Sequence, residues 1–159
     1  MLTRRQFLVR MGSGVAMGAG LALGAGCEGT DIDPNAPPLI RYGAERCAYC
    51  TMSIDDARFA CAWRTAGGAE RHFDDIGCMV NAYRREGPSA DSQFWVHNYS
   101  SQNWLDAGDA TYLIAPSIKT PMAYGVAAFT SPSEATAALP AAKTTLAWTD
   151  LLSTVERKG

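Results

Sequence analysis

The chain has 159 residues, of which 47% are hydrophobic and 19% are charged, and it carries a net charge of −2 at pH 7. This length is enough for one compact domain with a hydrophobic core. Proteins that bind nucleic acids usually carry a basic surplus, so the acidic balance argues against a nucleic acid as the partner.

Residues 1–26 are predicted to be a twin-arginine signal peptide. Arg4 and Arg5 follow a hydroxyl residue and precede an apolar pair, which is typical of such signals. Residues 11–25 are apolar but contain five glycines. The stretch is too short and too weakly hydrophobic for the roughly 20 residues that span a bilayer, so it is predicted to be a leader that is removed.

The leader ends in small residues ahead of Cys27, as a lipoprotein processing site does. Cleavage before Cys27 leaves 11 basic against 16 acidic residues, a net charge of −5. We expect a lipid on Cys27, a flexible tether over residues 27–38 and a folded domain over residues 39–159. The lipid would anchor the protein at the periplasmic face of a bacterial membrane, and we favour the outer membrane over the inner membrane. Ordinary cleavage near Gly26, with Cys27 as a spare thiol, remains an alternative.

The first predicted elements form a hairpin. Residues 59–63 alternate as a strand, a glycine-containing turn follows at residues 66–68, and residues 70–73 return as the second strand.

A helix is predicted directly after this hairpin. Asp74 and Asp75 offer an N-cap, and Gly87 and Pro88 mark the end. Helical spacing places one apolar stripe on this helix, formed by Ile76, Met79, Val80 and Tyr83.

The second half predicts a similar order of strands followed by a helix. Strands are expected over residues 94–96, 111–114, 126–129 and 144–147. Ser131 as N-cap, Pro132 and Glu134 form a capping box for a helix that ends before Pro140. A last helix is predicted over residues 150–158, so the fold class is α+β.

The residues that carry chemistry are sulfur ligands. Cys47 and Cys50 form a CxxC pair, Met52 follows two residues later, and Met122 lies in a loop flanked by proline and glycine. Thiolate and thioether sulfur together favour Cu(I) over hard cations. The pattern therefore predicts a copper site.

Several alternatives stay open at this stage. The CxxC pair is also compatible with a structural disulfide or a thiol redox pair. Zinc would need two more ligands, recruited from Cys61, Cys78, His72 and His97. We expect Cys61 and Cys78 to be buried, with a disulfide between them possible, and expect Met79 to pack in the core. Adjacent Asp74 and Asp75 are interpreted as capping residues, and no hydrolase, metalloprotease or nucleotide-binding motif is present in the sequence.

Taken together, the motifs resemble the NosL family. The resemblance spans residues 42–138 and depends on Cys47-x-x-Cys50-x-Met52, Phe73-Asp74-Asp75, Trp104-x-x-Ala107, Thr120-Pro121-Met122, Gly125 and Phe129. It implies two small ββα-type units, similar to treble clefs, fused into one compact domain.

The resemblance also implies a metal site made of Cys47, Cys50, Met52 and Met122. Thr51 stands where the family motif usually has glycine. If that glycine requires a positive φ, Thr51 predicts a loop that bends differently. Cys78 near the helix start is also unexpected for the family.

The function implied is that of a copper accessory lipoprotein for nitrous oxide reductase. We expect a tethered metallochaperone, not an enzyme, that holds one Cu(I) ion per chain and passes it to the apo-enzyme or its membrane assembly machinery. The alternatives are an anchored thiol-disulfide oxidoreductase that uses the CxxC pair, and a structural lipoprotein with disulfides.

Overall fold

A computed structural model of the protein describes Asp33 and residues 35–142 and 144–158. The predicted signal peptide, the predicted lipid acceptor Cys27 and the first part of the predicted tether lie outside these residues. No helix in the described part of the chain is both long enough and apolar enough to span a membrane.

The first sheet has four antiparallel strands. These are β1 (Cys61–Arg64), β2 (Glu70–Phe73), β3 (Gln93–His97) and β4 (Trp104–Asp106), in the order β2-β1-β3-β4. The hairpin of β1 and β2 is confirmed, with Cys61 opposite Phe73. Strand β4 was not predicted from the sequence, because it is three residues long and shows no extended alternation.

The second sheet is smaller and also antiparallel. It consists of β5 (Thr111–Ile114), β6 (Val126–Phe129) and β7 (Thr145–Leu146), in the order β6-β5-β7. The bounds of β5 and β6 match the predicted strands. Asn98 forms a parallel bridge with Ala128, and this bridge joins the two sheets.

The predicted helix after the hairpin is α1, Ile76–Glu86. The carboxylate of Asp75 accepts a hydrogen bond from the backbone N–H of Gly77, and Gly87 ends the helix in the left-handed conformation. Helix α1 packs against β1, β2 and β6. This packing brings its first turn into the core.

Two shorter helices complete the fold. Helix α2, Pro132–Ala138, begins at the predicted cap Ser131, whose hydroxyl accepts from the backbone N–H of Glu134. Helix α3 spans Trp148–Thr154, so the prediction of a helix over residues 150–158 is wrong at both ends. The chain leaves the helical conformation at Val155, where the Arg84 guanidinium binds the carbonyl oxygens of Leu152 and Val155.

The main core lies between α1 and the two sheets. The Trp63 ring packs against Phe73 and Phe94, with ring centroids 5.1 and 5.6 Å apart. Cys61, Met79 and Cys78 are fully buried in this core, as predicted for each. The four described cysteines are free thiols, so the possible Cys61–Cys78 disulfide is not formed.

The structure confirms an α+β fold with two antiparallel sheets and three helices. The order strand, strand, helix occurs twice, and the likeness of these units to treble clefs stays a prediction. One compact unit of the chain begins at Asp33. The Gln93 side chain donates to the side-chain oxygen of Asn35, and the Arg64 guanidinium donates to the carbonyl oxygen of Ala36. The end of the predicted tether therefore contacts the first sheet.

Candidate metal centre

The CxxC motif lies in a closed loop ahead of β1. An antiparallel bridge between Arg46 and Ser53 pairs the two ends of the loop. Inside it, the backbone N–H of Cys47 donates to the Met52 carbonyl oxygen at 2.8 Å, and the N–H of Thr51 donates to the Cys47 carbonyl oxygen at 3.0 Å. These bonds fix the spacing of the two cysteines before any ligand binds.

Thr51 adopts a positive φ of 66° in this loop. A β-branched residue rarely takes this conformation, which costs about 1–2 kcal/mol relative to glycine. The Arg46 guanidinium donates to the Thr51 carbonyl oxygen at 3.1 Å and helps to hold the loop. The expectation that Thr51 forces the loop away from a glycine-like bend is therefore wrong.

Four side chains converge beside this loop. Ligand atoms of Cys47, Cys50, Asp74 and Cys78 all lie within 4.8 Å of one another. Cys78 comes from the first turn of α1, and Asp74 comes from the junction between β2 and α1. The backbone N–H of Ala48 donates to the carbonyl oxygen of His72 at 2.9 Å, which holds the CxxC loop against β2.

Cys47 is the most acidic thiol of the group. A hydrogen bond from the Cys78 thiol, together with a weaker one from the backbone N–H of Cys50, lowers the pKa of Cys47 to about 7. The N–H groups of Tyr49 and Cys50 each lie 3.5 Å from the Cys47 sulfur. At neutral pH the loop thus supports a partly ionised sulfur, the form that binds metals.

The other two thiols hold their protons more tightly. Burial, with smaller contributions from Cys47 and Asp74, raises the pKa of Cys50 to about 12. Its thiol lies 3.3 and 3.4 Å from the two carboxylate oxygens of Asp74 and donates to them. The hydrogen bond to Cys47 raises the pKa of Cys78, and burial adds to it. A metal ion that binds all three sulfurs would have to displace these protons.

The two predicted methionine ligands occupy different surroundings. Met52 is 45% exposed at the end of the CxxC loop. Met122 is partly buried, and its backbone N–H donates to the Asp75 carboxylate at 3.0 Å. Its carbonyl oxygen accepts from the Lys158 ammonium at 3.0 Å. The backbone of Met122 is thus attached to the end of α1 that carries Cys78, and the ligand roles of both methionines stay predictions.

The remaining candidates have other partners. His72 pairs with the Glu45 carboxylate, and His97 is buried between the Ala60 carbonyl oxygen and the Tyr42 hydroxyl. Of the four residues considered for zinc, Cys78 is the one that joins the CxxC pair; Cys61 lies in the core.

Asp74 joins the candidate site, although the sequence predicts it, like Asp75, to be a capping residue. Asp75 alone caps α1, while Asp74 faces Cys50. The four-residue spacing of Asp74 and Cys78 at a helix start indicates that the two side chains lie on the same side of the helix, and this spacing could have predicted their proximity.

A sequence profile of the NosL family matches residues 41–145. The chain belongs to the NosL family. This membership agrees with the expectation that the protein is not an enzyme. No protein with a curated functional description matches the chain.

A solved structure with the same fold is the crystal structure of the copper chaperone NosL from Shewanella denitrificans. The two align with a TM-score of 0.58 and 14% sequence identity, over 72% of this chain and 96% of that one. At this identity the match establishes the NosL fold for the described domain.

Proposed function

We propose that the protein is a metallochaperone that binds one Cu(I) ion and delivers it to an exported cuproenzyme. The observation that carries the proposal is the convergence of Cys47 and Cys50 with a third thiol at one candidate site, in a chain of the NosL family. Thiolate sulfur selects Cu(I) over the hard cations. The NosL relative of known structure is named as a copper chaperone, which agrees with this role.

Delivery requires a ligand that can be exchanged. Cys50 is partly exposed and is followed by the exposed Met52, whereas Cys47 is buried. A partner's sulfur or imidazole would therefore meet the ion on the side of Cys50 and Met52. We propose Cys47, Cys50, Met52 and Met122 as ligands during binding and transfer, the two methionines being the more labile donors.

The recipient we propose is apo nitrous oxide reductase or its membrane assembly machinery. A lipid on Cys27, followed by the tether, would hold the domain at the periplasmic face of the membrane and raise its effective concentration near such a partner. Mixing the Cu(I)-loaded protein with the apo-enzyme and measuring copper in each after separation tests this step. Copper that stays with the donor under these conditions would contradict this choice of recipient.

Competition with a chromophoric Cu(I) chelator tests the binding site. Residues 33–159 form one compact unit, so the reduced protein without residues 1–27 is suitable. We expect one equivalent of Cu(I) to be withdrawn from the chelator, with weaker competition by the Cys50→Ser and Met122→Ala variants. Unchanged competition in both variants would contradict the site assignment.

A thiol-disulfide oxidoreductase is the alternative that the acidic Cys47 favours, because its pKa of about 7 resembles that of a redox-active thiol. Its side chain, however, is only 2% exposed, and the more accessible Cys50 has a raised pKa. Exchange requires a thiolate that can reach a disulfide in solution. Rapid reduction of a model disulfide by the metal-free protein would support this alternative over the chaperone.

A structural lipoprotein with disulfides is separated from both by counting thiols. We expect free thiols in the native protein purified without reductant under anaerobic conditions. A count of zero would favour the structural role.

A further inference from the structure

We propose that Cys78 is a third thiolate ligand, so that the sulfurs of Cys47, Cys50 and Cys78 form the inner set around the ion. Met52 and Met122 remain the weaker, exchangeable donors, and the ion leaves from the side of Cys50. This inference deepens the proposed copper-binding function and rests on it. It concerns a residue that the sequence pattern alone assigns to the core.

The geometry suits a three-sulfur site. Metal–thiolate bonds of about 2.3 Å place the sulfurs of a trigonal site about 4 Å apart. The ligand atoms of Cys47, Cys50 and Cys78 already lie within 4.8 Å of one another. Contraction of each sulfur–sulfur distance by at most about 0.8 Å therefore suffices, a change that side-chain rotation can supply.

The position of Cys78 is fixed by the start of α1. Its backbone N–H donates to the Asp75 carbonyl oxygen at 2.9 Å. The preceding Gly77 lies so close to the Tyr124 ring that an added Cβ would come within 2.1 Å of a ring carbon. Contact with this ring leaves the first turn of α1 little room to move. Cys78 is thus presented to the CxxC loop by a rigid element, as a preorganised ligand should be.

Cys61 shows what a buried cysteine outside the site looks like. Both Cys61 and Cys78 are fully buried free thiols. Cys61 lies on β1 and is not among the converging ligand atoms, whereas the Cys78 sulfur lies within 4.8 Å of the sulfurs of Cys47 and Cys50. Burial as a small apolar residue explains Cys61, but it does not explain a thiol that converges with two others.

The three cysteines differ in solvent exposure, and this difference indicates the side from which a partner can approach the ion. Cys47 and Cys78 are 2% and 0% exposed, while Cys50 is partly exposed. An incoming ligand therefore reaches the ion beside Cys50 first. Cys47 and Cys78 would hold the ion as an inner pair until the partner has replaced Cys50.

The test compares the Cys78→Ser and Cys61→Ser variants, which remove buried thiols of equal exposure. Chelator competition measures Cu(I) affinity, and X-ray absorption counts the sulfur neighbours of the bound ion. Loss of second-shell contacts already costs 10- to 100-fold in metal affinity, so loss of a ligand should cost at least about 100-fold. We expect Cys78→Ser to lose this affinity and one sulfur neighbour, and Cys61→Ser to match the unaltered protein.

Wild-type affinity and an unchanged sulfur count in Cys78→Ser would overturn the inference. If Cys50→Ser still weakens binding in that case, the proposed function survives without it. If the unaltered protein fails to compete for Cu(I), the proposed function itself fails.

A second measurement does not depend on the variants folding. In the unaltered protein with labelled cysteines, the Cβ resonances of Cys47, Cys50 and Cys78 should move on Cu(I) binding, while that of Cys61 stays. A stationary Cys78 resonance would overturn the inference on its own.

Discussion

The carboxylate of Asp75 binds the backbone N–H of Met122 at 3.0 Å with one oxygen, and binds the N–H of Gly77 at 2.9 Å with the other. One buried side chain thus caps α1 and attaches the methionine loop to it. Burial raises the pKa of Asp75, and the Thr120 side chain opposes this shift. The two halves of the candidate site are therefore coupled through Asp75.

The first prediction follows from this contact. Replacing Asp75 with alanine removes the helix cap, which costs about 1 kcal/mol, and leaves the partly buried N–H of Met122 unpaired, which costs about 1–3 kcal/mol more. We expect the free energy of unfolding in urea to fall by about 2–4 kcal/mol. The matched control is Asp55→Ala on the surface, where we expect a change within about 0.5 kcal/mol. Equal effects of the two substitutions would contradict the coupling.

Thr51 provides a prediction of the opposite sign. Its φ of 66° is unfavourable for a β-branched residue but not for glycine. Relief of about 1–2 kcal/mol is partly offset by the entropy of glycine in the unfolded chain. We expect Thr51→Gly to stabilise the metal-free protein by about 0.5–1 kcal/mol in urea denaturation, with Cu(I) affinity retained. Thr111→Gly in strand β5 should destabilise it, and a loss of stability in both variants would contradict the strain at Thr51.

Asp74 should decide which metal the site tolerates. Its carboxylate oxygen is a hard donor, which contributes more to Zn(II) than to Cu(I). We expect Asp74→Asn to lower Zn(II) affinity at least about 10-fold while Cu(I) affinity changes less than about threefold. Parallel titrations of the two ions measure the difference, with the exposed Asp55→Asn as control. A larger loss for Cu(I) than for Zn(II) would show that the carboxylate serves copper directly.

His97 predicts a loss of stability in acid. Burial lowers the pKa of its imidazole below the usual 6.5, while a hydrogen bond to the Ala60 carbonyl oxygen opposes this shift. The folded state therefore binds fewer protons than the unfolded state, so this stabilising contribution is present above pH 6.5 and is lost as the pH falls through the folded pKa. We expect the free energy of unfolding to decrease from pH 7 to pH 5. The decrease should be shallower in His97→Asn, and identical pH profiles would count against this origin.

Local signals in the sequence were sufficient for much of the fold. The glycine turn, the cap at Asp75 and the capping box at Ser131 fixed the hairpin, α1 and α2, because caps and turns depend on neighbouring residues. The end of α3 depends on the guanidinium of Arg84, which lies on α1, 68 residues before Leu152 in the sequence. The short β4 strand depends on pairing with β3. Neither feature has a local sequence signal.

The candidate site divides in the same way. The CxxC spacing was sufficient to single out Cys47 and Cys50. The approach of Cys78 to the CxxC pair requires α1 to begin beside the CxxC loop, which no local sequence signal indicates. The sequence predicted only that Cys78 is buried. The positive φ of Thr51 was not predicted, because β-branched residues rarely adopt it. The Arg46–Ser53 bridge, which closes the loop around Thr51, has no local sequence signal.

The four converging side chains of the candidate site, those of Cys47, Cys50, Asp74 and Cys78, all come from residues 47–78. An unfolded chain keeps Cys47 and Cys50 within three residues of each other, so it retains part of this affinity and loses the donors from Asp74 and Cys78. Metal binding stabilises a fold only by the difference between its affinities for the two states. Copper should therefore raise the melting temperature by less than its affinity for the folded protein suggests, and a chain still unfolded would already compete for the ion.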